Sequence, residues 1–578
     1  MKARYKEVSE EKSLGATFTP KSLADFVAEE IVKIAPIRHL NRPVKVLDPA
    51  LGTGNLLVSL LEKLINTYKN ISIEAYGFEK NEQTLRSAII RLKKMFPEVT
   101  FSFYNADFLE FVLQHVGIEG KNLFCLSSPT KFDLIIANPP YVRTQILGAD
   151  QARAWAKHFN LSGRIDLYYA FLLGIGEVLT PGGIAGIIVS NRFMTTKSGY
   201  AVRRALREQF IIHHVWDLGD TKLFRAAVLP AVLLLEKANP NLRTNGKTHK
   251  PKFTSIYETD QPAEYKARDP IAALAYQGIV EIDDGRRFFV QHGTLDDSGH
   301  SGAFWRISTK KTDAWLRTVK EHTWGTFRDI GRVRVGVKTT ADKVFIRSDW
   351  NEISYEERPE AQLLHPLMTH HVARRFKPKQ PIKQILYPYC SKNGRRVPID
   401  LSKYPRTAAY LEKHRSILEA RKYVLESGRE WFEIWVPHNP SDWAKVKLVF
   451  RDIAENPTFW IDLSGAIVNG DCYWMICDNE ANVDLLWLAL AIGNSTFIKA
   501  FYDHMFNVRL YAKRRRFMSQ YVEKFPLPDP KRPITKEIIA TAQQIYQITP
   551  SNESHILEQD LDRMVWQAFG LAYEKVSG

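Results

Sequence analysis

The chain has 578 residues, more than one hydrophobic core usually serves, and this length predicts about two or three domains. Its 80 Lys and Arg residues against 64 Asp and Glu give a formal net charge of +16, which favours a polyanionic partner. Apolar runs such as Leu485–Ile492 are shorter than the roughly 20 residues of a membrane-spanning helix, and Met1–Lys12 lacks an apolar signal core. Four scattered cysteines argue against a disulfide framework and favour a reducing cytoplasm.

Short β-branched runs alternate with helical stretches from Val44 to about Lys237, which is the pattern of a parallel sheet covered on both faces. We predict a doubly wound, Rossmann-like α/β domain, preceded by a helix at Lys21–Ile34 with Pro20 at its start. The seven predicted strands are Val44–Asp48, Ile73–Glu79, Val99–Asn105, Phe132–Ala137, Gly183–Ser190, His213–Leu218 and Val228–Glu236.

The periodicity ends after Ala238, and the residues as far as Lys252 are basic and rich in turn formers, which indicates a domain boundary. A connecting stretch follows, and beyond it lies a mixed α/β region that is basic and rich in aromatic residues. We predict four parts: a first domain at residues 1–240, a connecting region at 241–325, a second domain at 326–530 and a C-terminal helical segment at 531–578.

A glycine turn follows the first predicted strand, in the stretch Asp48-Pro49-Ala50-Leu51-Gly52-Thr53-Gly54. Gly52 and Gly54 let the backbone approach a ligand that a Cβ would exclude. The third glycine of a dinucleotide-binding turn is missing, and Asp48 suits a cationic or amino-bearing ligand better than a phosphate. Taken alone, such a turn would fit any Rossmann-like domain.

Two further acids stand at the ends of the next two predicted strands. Glu79 is placed to accept both hydroxyls of a ribose, and Asp107 to accept an adenine amino group while Phe108 packs on the ring. Ligands of open α/β sheets bind outside the carboxyl ends of the strands. Asp48, Glu79 and Asp107 therefore predict one ligand crevice.

The fourth predicted strand ends in the loop Asn138-Pro139-Pro140-Tyr141. Two consecutive prolines end the strand and stiffen the loop, because neither donates a backbone hydrogen bond. The Asn138 side-chain oxygen and the Pro139 carbonyl are placed to accept both hydrogens of an amino group on a ring. Tyr141 offers a ring on which a flipped base would stack.

These elements occur in one order, and the stretch from Gly15 to Lys237 resembles the TaqI-like N6-adenine DNA methyltransferases of the γ class. The matching segments are Gly15–Pro20, Asp48–Gly54, Glu79, Asp107–Phe108, Asn138–Tyr141, Asp166–Phe171 and Leu179–Gly183. The resemblance implies transfer of a methyl group from S-adenosylmethionine to N6 of a flipped adenine in double-stranded DNA, without a metal. By position, it places these residues at the cofactor: Thr19, Asp48, Pro49, Ala50, Gly52, Gly54, Glu79, Lys80, Asp107, Phe108, Asn138, Pro140 and Phe171.

The resemblance also implies a second aromatic side chain that sandwiches the flipped base against Tyr141. Tyr200, at the start of the predicted helix Tyr200–Glu208, is our choice for this role. Phe193 is the alternative, although a buried core phenylalanine is its ordinary interpretation.

The second half, from about Thr326 to Pro528, resembles the TaqI-like specificity domain. Residues 1–240 then form the catalytic domain and residues 326–530 a DNA target-recognition domain. Basic side chains in the second half suit phosphate contacts that position a duplex. The candidate DNA-binding residues are Arg332, Arg334, Lys338, Arg374, Arg375, Lys513, Arg514, Arg515 and Arg516.

Three other functions stay open at this point. An Asn-Pro-Pro-Tyr loop also serves enzymes that methylate a glutamine amide or an RNA base. A bifunctional enzyme would add a nuclease, for which we expect no domain because 43 residues precede the first predicted strand. An inactive DNA-binding module is the third alternative. By resemblance, we expect a monomer in the bacterial cytoplasm, paired with a separate restriction endonuclease.

Overall fold

The computed structural model describes residues 19–37, 41–115, 130–141, 149–159, 166–224, 229–239, 250–296, 303–506 and 514–573. Two compact units divide the chain: the first ends at Lys310 and the second begins at Lys311.

The first unit is built from twelve strands and eight helices among the residues described. Its strands are β1 Val44–Asp48, β2 Ile73–Phe78, β3 Thr100–Tyr104, β4 Phe132–Ala137, β5 Leu179–Ser190, β6 Phe210–Asp217, β7 Pro230–Lys237, β8 Lys252–Glu258, β9 Tyr265–Ala267, β10 Gly278–Ile282, β11 Arg287–Asp296 and β12 Arg306–Ser308. Its helices are α1 Lys21–Ile34, α2 Asn55–Thr67, α3 Glu82–Met95, α4 Phe108–His115, α5 Ala149–His158, α6 Leu167–Val178, α7 Tyr200–Gln209 and α8 Pro270–Ala273.

All twelve strands belong to one sheet, with the order β3-β2-β1-β4-β5-β7-β6-β8-β11-β10-β9 and with β12 paired to β11. Strands β1 to β5 pair in parallel, whereas β7 runs antiparallel between β5 and β6. These first seven strands form the predicted doubly wound sheet. Val228, the predicted start of the seventh strand, lies outside the described residues.

Apolar side chains of the central strands alternate between the two faces of the sheet, because successive residues of a strand point to opposite sides. Val46 and Leu134 pack in the core beneath α1 and α2. Leu47 and Ile135 pack in the core on the other face, beneath α6. Burial on both faces explains why these strands read as continuous apolar runs.

Residues 252–296 and 306–308 contribute strands to the sheet, whereas the sequence predicts a connecting region from residue 241. Strand β8 pairs in parallel with β6, as in Val215 opposite Phe253, and β11 pairs with β8. Strand β8 is almost wholly buried. The change in sequence pattern after Ala238 therefore does not mark the edge of this sheet.

The second unit contains small sheets and helices. Its strands are β13 Gly325–Thr326, β14 Arg334–Val335, β15 Ile346–Arg347, β16 Leu364–Met368, β17 Gln384–Leu386, β18 Tyr389–Lys392, β19 Arg395–Pro398, β20 Lys447–Arg451, β21 Ile453–Ala454, β22 Phe459–Asp462, β23 Ile467–Val468, β24 Cys472–Met475, β25 Arg515–Arg516 and β26 Pro526–Leu527. Its helices are α9 Lys310–Glu321, which begins at the boundary, α10 Phe327–Ile330, α11 Asp342–Phe345, α12 Pro405–Lys413, α13 Arg415–Glu419, α14 Lys422–Glu426, α15 Pro440–Trp443, α16 Asp484–Gly493, α17 Thr496–Phe506, α18 Ser519–Val522, α19 Pro533–Ile548 and α20 Asn552–Ala568.

Two four-stranded sheets, β14-β24-β20-β22 and β15-β17-β16-β23, organise this unit, and β18 and β19 form a separate hairpin. The apolar helix α16 packs against α19 and α20 of the C-terminal segment. In the part of the chain that is described, no single helix has the length and apolar character needed to cross a membrane. Helices α16 and α17 have that length and apolar character only when they are taken together, and the chain bends by 75° between them.

Candidate active site

The carboxyl ends of β1, β2 and β4 bring the predicted site residues to one edge of the sheet. Strand β1 lies between β2 and β4, so Asp48 at its end is flanked by Glu79 on one side and Asn138 on the other. Residues 15–18 of the predicted Thr-Pro element lie outside the described residues, but Thr19 is described and buried.

Asp48 is a carboxylate without solvent exposure. Its Oδ1 accepts a hydrogen bond from the Ala50 backbone at 3.1 Å, while its buried Oδ2 has no hydrogen-bond partner among the described residues. Burial raises the pKa of this carboxyl to about 7, and the nearby charge of Glu79 contributes in the same direction. A buried acceptor of this kind suits a cationic or hydrogen-donating ligand.

The two glycines of the turn lack a side chain for different reasons. Gly52 has φ +52°, and a Cβ at this position would meet no heavy atom within 4 Å, so open space lies beside the backbone. Gly54 has φ +78° where α2 begins, and a Cβ there would lie 3.2 Å from the Leu92 side chain of α3. Only Gly52 therefore borders space that a ligand would fill.

Glu79 and Asp107 are engaged with backbone amides at the same edge. Glu79 accepts from Gly52 N at 3.0 Å through Oε2 and from Asn81 N at 2.8 Å through Oε1. Asp107 accepts from Leu109 N at 2.8 Å, and its other oxygen pairs with Lys80 Nζ at 3.1 Å. Lys80 thus lies beside Glu79 and Asp107, and all three are predicted to contact the cofactor.

The predicted cofactor-ring contacts, Phe108 and Phe171, pack against each other with ring centroids 5.6 Å apart. Both side chains belong to the core on the α6 face of the sheet and are at most 5% exposed. Core packing accounts for both rings, and their contact with a cofactor stays a prediction.

Asn138 is half-buried after β4, and its amide is oriented by Thr19. Asn138 Nδ2 donates to Thr19 Oγ1 at 2.9 Å. Because the amide nitrogen is used on that side, the amide oxygen points to the other side of the group. Thr19 also accepts a 3.5 Å hydrogen bond at its carbonyl from Asn55, the first residue of α2.

The aromatic side chain that lies next to Tyr141 is Tyr168, with ring centroids 6.3 Å apart and an edge-on geometry. The Tyr141 hydroxyl is buried, and burial raises its pKa far above the ordinary value. Tyr168 belongs to the segment Asp166–Phe171 that carried the resemblance, but no role had been predicted for it. Its helical position among apolar residues gave no signal beyond core packing.

The two candidates for the second stacking ring differ in exposure. Tyr200 is 52% exposed at the start of α7. Phe193 has no exposure and packs edge-on against Trp305 at 5.3 Å. Phe193 is therefore a core residue, and Tyr200 keeps a ring that a base can reach.

Arg203 fixes the loop that precedes Tyr200. Its buried guanidinium donates to the carbonyls of Phe193, Thr196 and Ala303, the last two at 2.9 and 2.7 Å. Gly199 in this loop has no room for a Cβ, which would lie 2.1 Å from the Phe193 carbonyl oxygen. The sequence did not single out Arg203, because an arginine on an amphipathic helix usually faces solvent.

Asp217, at the carboxyl end of β6, ties this loop to the additional strands. It accepts from Asn191 Nδ2 at 2.9 Å and from the Tyr257 hydroxyl of β8 at 2.7 Å. Burial raises the pKa of the Asp217 carboxyl to about 6, although these hydrogen bonds oppose the shift. Strand β8 thereby supports the segment that follows β5.

Several of the predicted DNA-binding residues are tied into the protein instead. Arg515 is buried and forms a two-pronged pair with Asp503 at 2.7 and 2.6 Å, so its guanidinium is engaged within the protein, and its phosphate contact stays a prediction. Arg516 pairs with Asp452 at 3.0 Å, and Arg375 pairs with Glu558 at 2.9 Å. The alternation of β25 points Arg515 inward, and the partner acids are distant in sequence.

The other basic candidates are placed differently. Arg374 donates to the carbonyls of Lys377 and Pro378, and Arg334 lies over Trp474 with Asp442 at 3.6 Å. Arg332, Lys338 and Arg514 are exposed. Lys513 lies outside the described residues.

Comparison with known proteins follows the same division of the chain. The N-6 DNA methylase family matches residues 4–280, and the TaqI-like C-terminal specificity domain matches residues 399–527. The chain is 36% identical to the type II methyltransferase M.BanIII of Aneurinibacillus aneurinilyticus, over 97% of this chain and 98% of that protein. The chain belongs to the type II DNA methyltransferases. It is also 25% identical to the type II methyltransferase M.XhoI of Xanthomonas vasicola, over 89% and 91% of the two chains.

Two solved structures share the fold of this methyltransferase over most of its length. A DrdV–DNA complex has a TM-score of 0.53 at 11% identity and covers 94% of this chain and 60% of its own. The type ISP restriction–modification enzyme LlaBIII bound to DNA has a TM-score of 0.51 at 12% identity, covering 93% and 39%. The predicted family and α/β fold class are confirmed.

S-adenosylmethionine is the methyl donor of this family, as predicted. The residues present fit it, because the unpartnered Asp48 oxygen suits a cationic group and open space adjoins Gly52. Glu79 and Asp107 add carboxylates at the same edge. The individual contacts stay predictions.

Proposed function

We propose that this methyltransferase transfers a methyl group from S-adenosylmethionine to N6 of an adenine in double-stranded DNA. The observation that carries the proposal is the hydrogen bond from Asn138 to Thr19, which turns the amide oxygen of Asn138 away from Thr19 at the end of β4. An amide oxygen and the Pro139 carbonyl are the two acceptors that an exocyclic amino group needs.

In this mechanism, the target adenine rotates out of the duplex because N6 is not accessible within the base stack. Tyr141 stacks on the base, and the exposed Tyr200 closes on its other face. Asn138 Oδ1 and the Pro139 carbonyl accept the two N6 hydrogens, which draws the nitrogen lone pair out of conjugation with the ring.

When bound, S-adenosylmethionine would supply an electrophilic methyl group carried on a sulfonium sulfur and would be left as the neutral thioether. With its two hydrogens held by Asn138 Oδ1 and the Pro139 carbonyl, the N6 nitrogen would direct its lone pair to that methyl group and would release one proton to water after the transfer. Positioning of the two reactants supplies most of the rate. Pro139 and Pro140 contribute by keeping the acceptors rigid.

The biological setting that we propose is a restriction–modification system in the bacterial cytoplasm. The relatives are named type II methyltransferases, and the enzyme would protect sites from a separate restriction endonuclease. We further propose that it acts as a monomer, with the TaqI-like domain holding the duplex.

Substitution of Asn138 tests the role of the loop. In Asn138→Ala, we expect methyl transfer to a duplex to fall below detection, because both acceptor and donor atoms of the amide are lost. Duplex affinity should stay near that of the parent protein. Asn482→Ala, in the second unit, is the control and should methylate normally.

The substrate is tested with labelled cofactor on duplex DNA, tRNA and protein, followed by mapping of the modified base. N6-methyladenine in DNA is the expected product. Label on a cytosine, on RNA or on a glutamine side chain would contradict the proposal. Loss of duplex binding in Asn138→Ala would contradict the role of Asn138.

A further inference from the structure

A segment of the second unit carries a local excess of positive charge. No Asp or Glu occurs between Glu360 and Asp400, while the same interval holds eight Lys and Arg residues. Across the whole chain the ratio is 80 basic to 64 acidic residues, so the segment is far from average. It ends where the TaqI-like specificity domain begins to match, at residue 399.

The hairpin Tyr389–Pro398, formed by β18 and β19, lies within this segment. The two strands pair through four residue pairs, from Tyr389 opposite Pro398 to Lys392 opposite Arg395. Asn393 and Gly394 form the turn with φ +52° and +71°, which is the geometry of a tight type I′ turn. The hairpin is a two-stranded sheet of its own.

The rest of the unit holds this hairpin in place. The Tyr389 hydroxyl donates to the Ile434 carbonyl at 3.2 Å and accepts from Ile434 N at 2.7 Å. At the other end, Asn439 Nδ2 donates to the Gly394 carbonyl at 2.7 Å. Contacts at both base and tip keep the hairpin in one orientation.

The two faces of the hairpin have different surroundings. Tyr389 is 4% exposed and Arg396 packs over its ring, so this face points into the unit. Side chains alternate along a strand, and Lys392 and Arg395 therefore share the opposite face, where both are exposed. In the described part of the chain, neither has an acidic group within 4.0 Å.

Lys392 and Arg395 stand directly opposite each other on adjacent strands. Like charges in that position destabilise a hairpin, because their side chains are close neighbours. A polyanion bound across the pair would remove the repulsion. Other basic side chains of the unit, such as Arg515 and Arg516, are already neutralised by acids.

We propose that the hairpin Tyr389–Pro398 contacts the phosphate backbone of duplex DNA through Lys392 and Arg395. This inference rests on the proposed action on DNA and adds a contact surface directly before residues 399–527, which match the TaqI-like specificity domain. Phosphates suit the pair because two cations on one rigid face provide charge and position without reading a base.

The test is the salt dependence of DNA binding by the full chain. For the double variant Lys392→Gln and Arg395→Gln, we expect the dissociation constant to rise about tenfold at moderate salt. The slope of log affinity against log salt should become shallower by about 2, since each lost phosphate contact removes roughly 0.9. The probes are a duplex that carries the mapped methylation site and a scrambled duplex of equal length. Binding of each probe is measured by fluorescence anisotropy.

The control is the double variant Lys531→Gln and Lys536→Gln, which removes the same charge from exposed positions in the C-terminal segment. It should leave the slope unchanged. An unchanged slope for the hairpin variant, or an equal effect in the control, would overturn the proposal. So would a loss confined to the mapped site, because that would indicate base reading. The assay measures DNA affinity and not methyl transfer. Its result therefore does not depend on whether adenine is the base that is methylated.

Discussion

A buried carboxylate of the first unit and a buried arginine of the second unit differ in whether they have a partner. At the carboxyl edge of the first unit, Asp48 keeps a buried oxygen without a partner, and its pKa is raised. In the second unit, Arg515 lies against both oxygens of Asp503, and buried Lys447 lies 2.6 Å from Asp462.

This difference distinguishes residues that bind a ligand from residues that stabilise the fold. A buried charge is costly unless it is paired, so a fully paired one has a structural explanation. An unpartnered one retains its cost until something binds. Asp48 keeps an oxygen without a partner at the predicted cofactor crevice, whereas Arg515, for which a DNA contact is predicted from the sequence, is paired with an acid.

The largest effect should come from breaking the Arg515 pair. In Arg515→Gln, the Asp503 carboxylate loses its cationic partner but stays within the protein. We therefore expect the free energy of unfolding to fall by about 3 to 5 kcal/mol. Denaturant unfolding measures it. Arg332→Gln, at an exposed position, is the control and should change stability by no more than about 0.5 kcal/mol.

If Arg515→Gln unfolded like the parent protein and bound DNA more weakly, Arg515 would not be a structural residue. That result would restore the phosphate contact predicted from the sequence. Normal salt dependence together with reduced stability would confirm that Arg515 is a structural residue.

Asp48 should control cofactor affinity through its ionisation. The folded pKa is about 7, and a cationic ligand binds the ionised form, so affinity should be full above pH 7 and fall below it. Between pH 8 and pH 6, we expect the dissociation constant for S-adenosylmethionine to rise about tenfold. Calorimetry across this range measures the effect.

Asp48→Asn is the matched variant for this pH dependence. It should bind the cofactor about tenfold to a hundredfold more weakly at pH 8, because a charge-assisted hydrogen bond is lost. The amino group of the ligand titrates in the same way with both proteins. The variant should therefore lose only the part of the pH dependence that comes from Asp48. An unchanged pH dependence in the variant would show that Asp48 does not face the cofactor.

Much of the first unit could be predicted because its signals are local. Strands buried on both faces read as apolar runs, and helix α1 was predicted with the bounds that the structure has. The acids and the Asn138 loop follow strands directly, so chain order already placed them at one edge.

What could not be predicted depends on contacts between distant residues. Strand β8 joins the sheet through β6, about forty residues earlier, and the turn-rich sequence between residues 238 and 252 gives no sign of this continuity. The partners of Arg375 and Arg516 are Glu558 and Asp452, which no local pattern indicates. A run of cations in sequence was therefore a poor guide to a surface, and the hairpin at Lys392 was missed.

The smallest effect, and the sharpest test of how the edge is organised, concerns Thr19. The resemblance placed it at the cofactor, whereas the structure bonds its hydroxyl to Asn138. Thr19→Val keeps the shape and removes the hydrogen bond, so we expect kcat to fall roughly tenfold, equivalent to about 1.4 kcal/mol, with cofactor affinity maintained.

Thr19→Ser keeps the hydroxyl and should retain most of the parent kcat, which a purely steric role of Thr19 would not explain. The measurements are kcat at saturating DNA and cofactor, and cofactor affinity by calorimetry. If Thr19→Val instead weakened cofactor binding and left kcat unchanged, Thr19 would belong to the cofactor pocket and Asn138 would need another orienting partner. Because the two outcomes fall on different constants, this one position decides whether the Asn138 loop is organised by the protein or by its ligand.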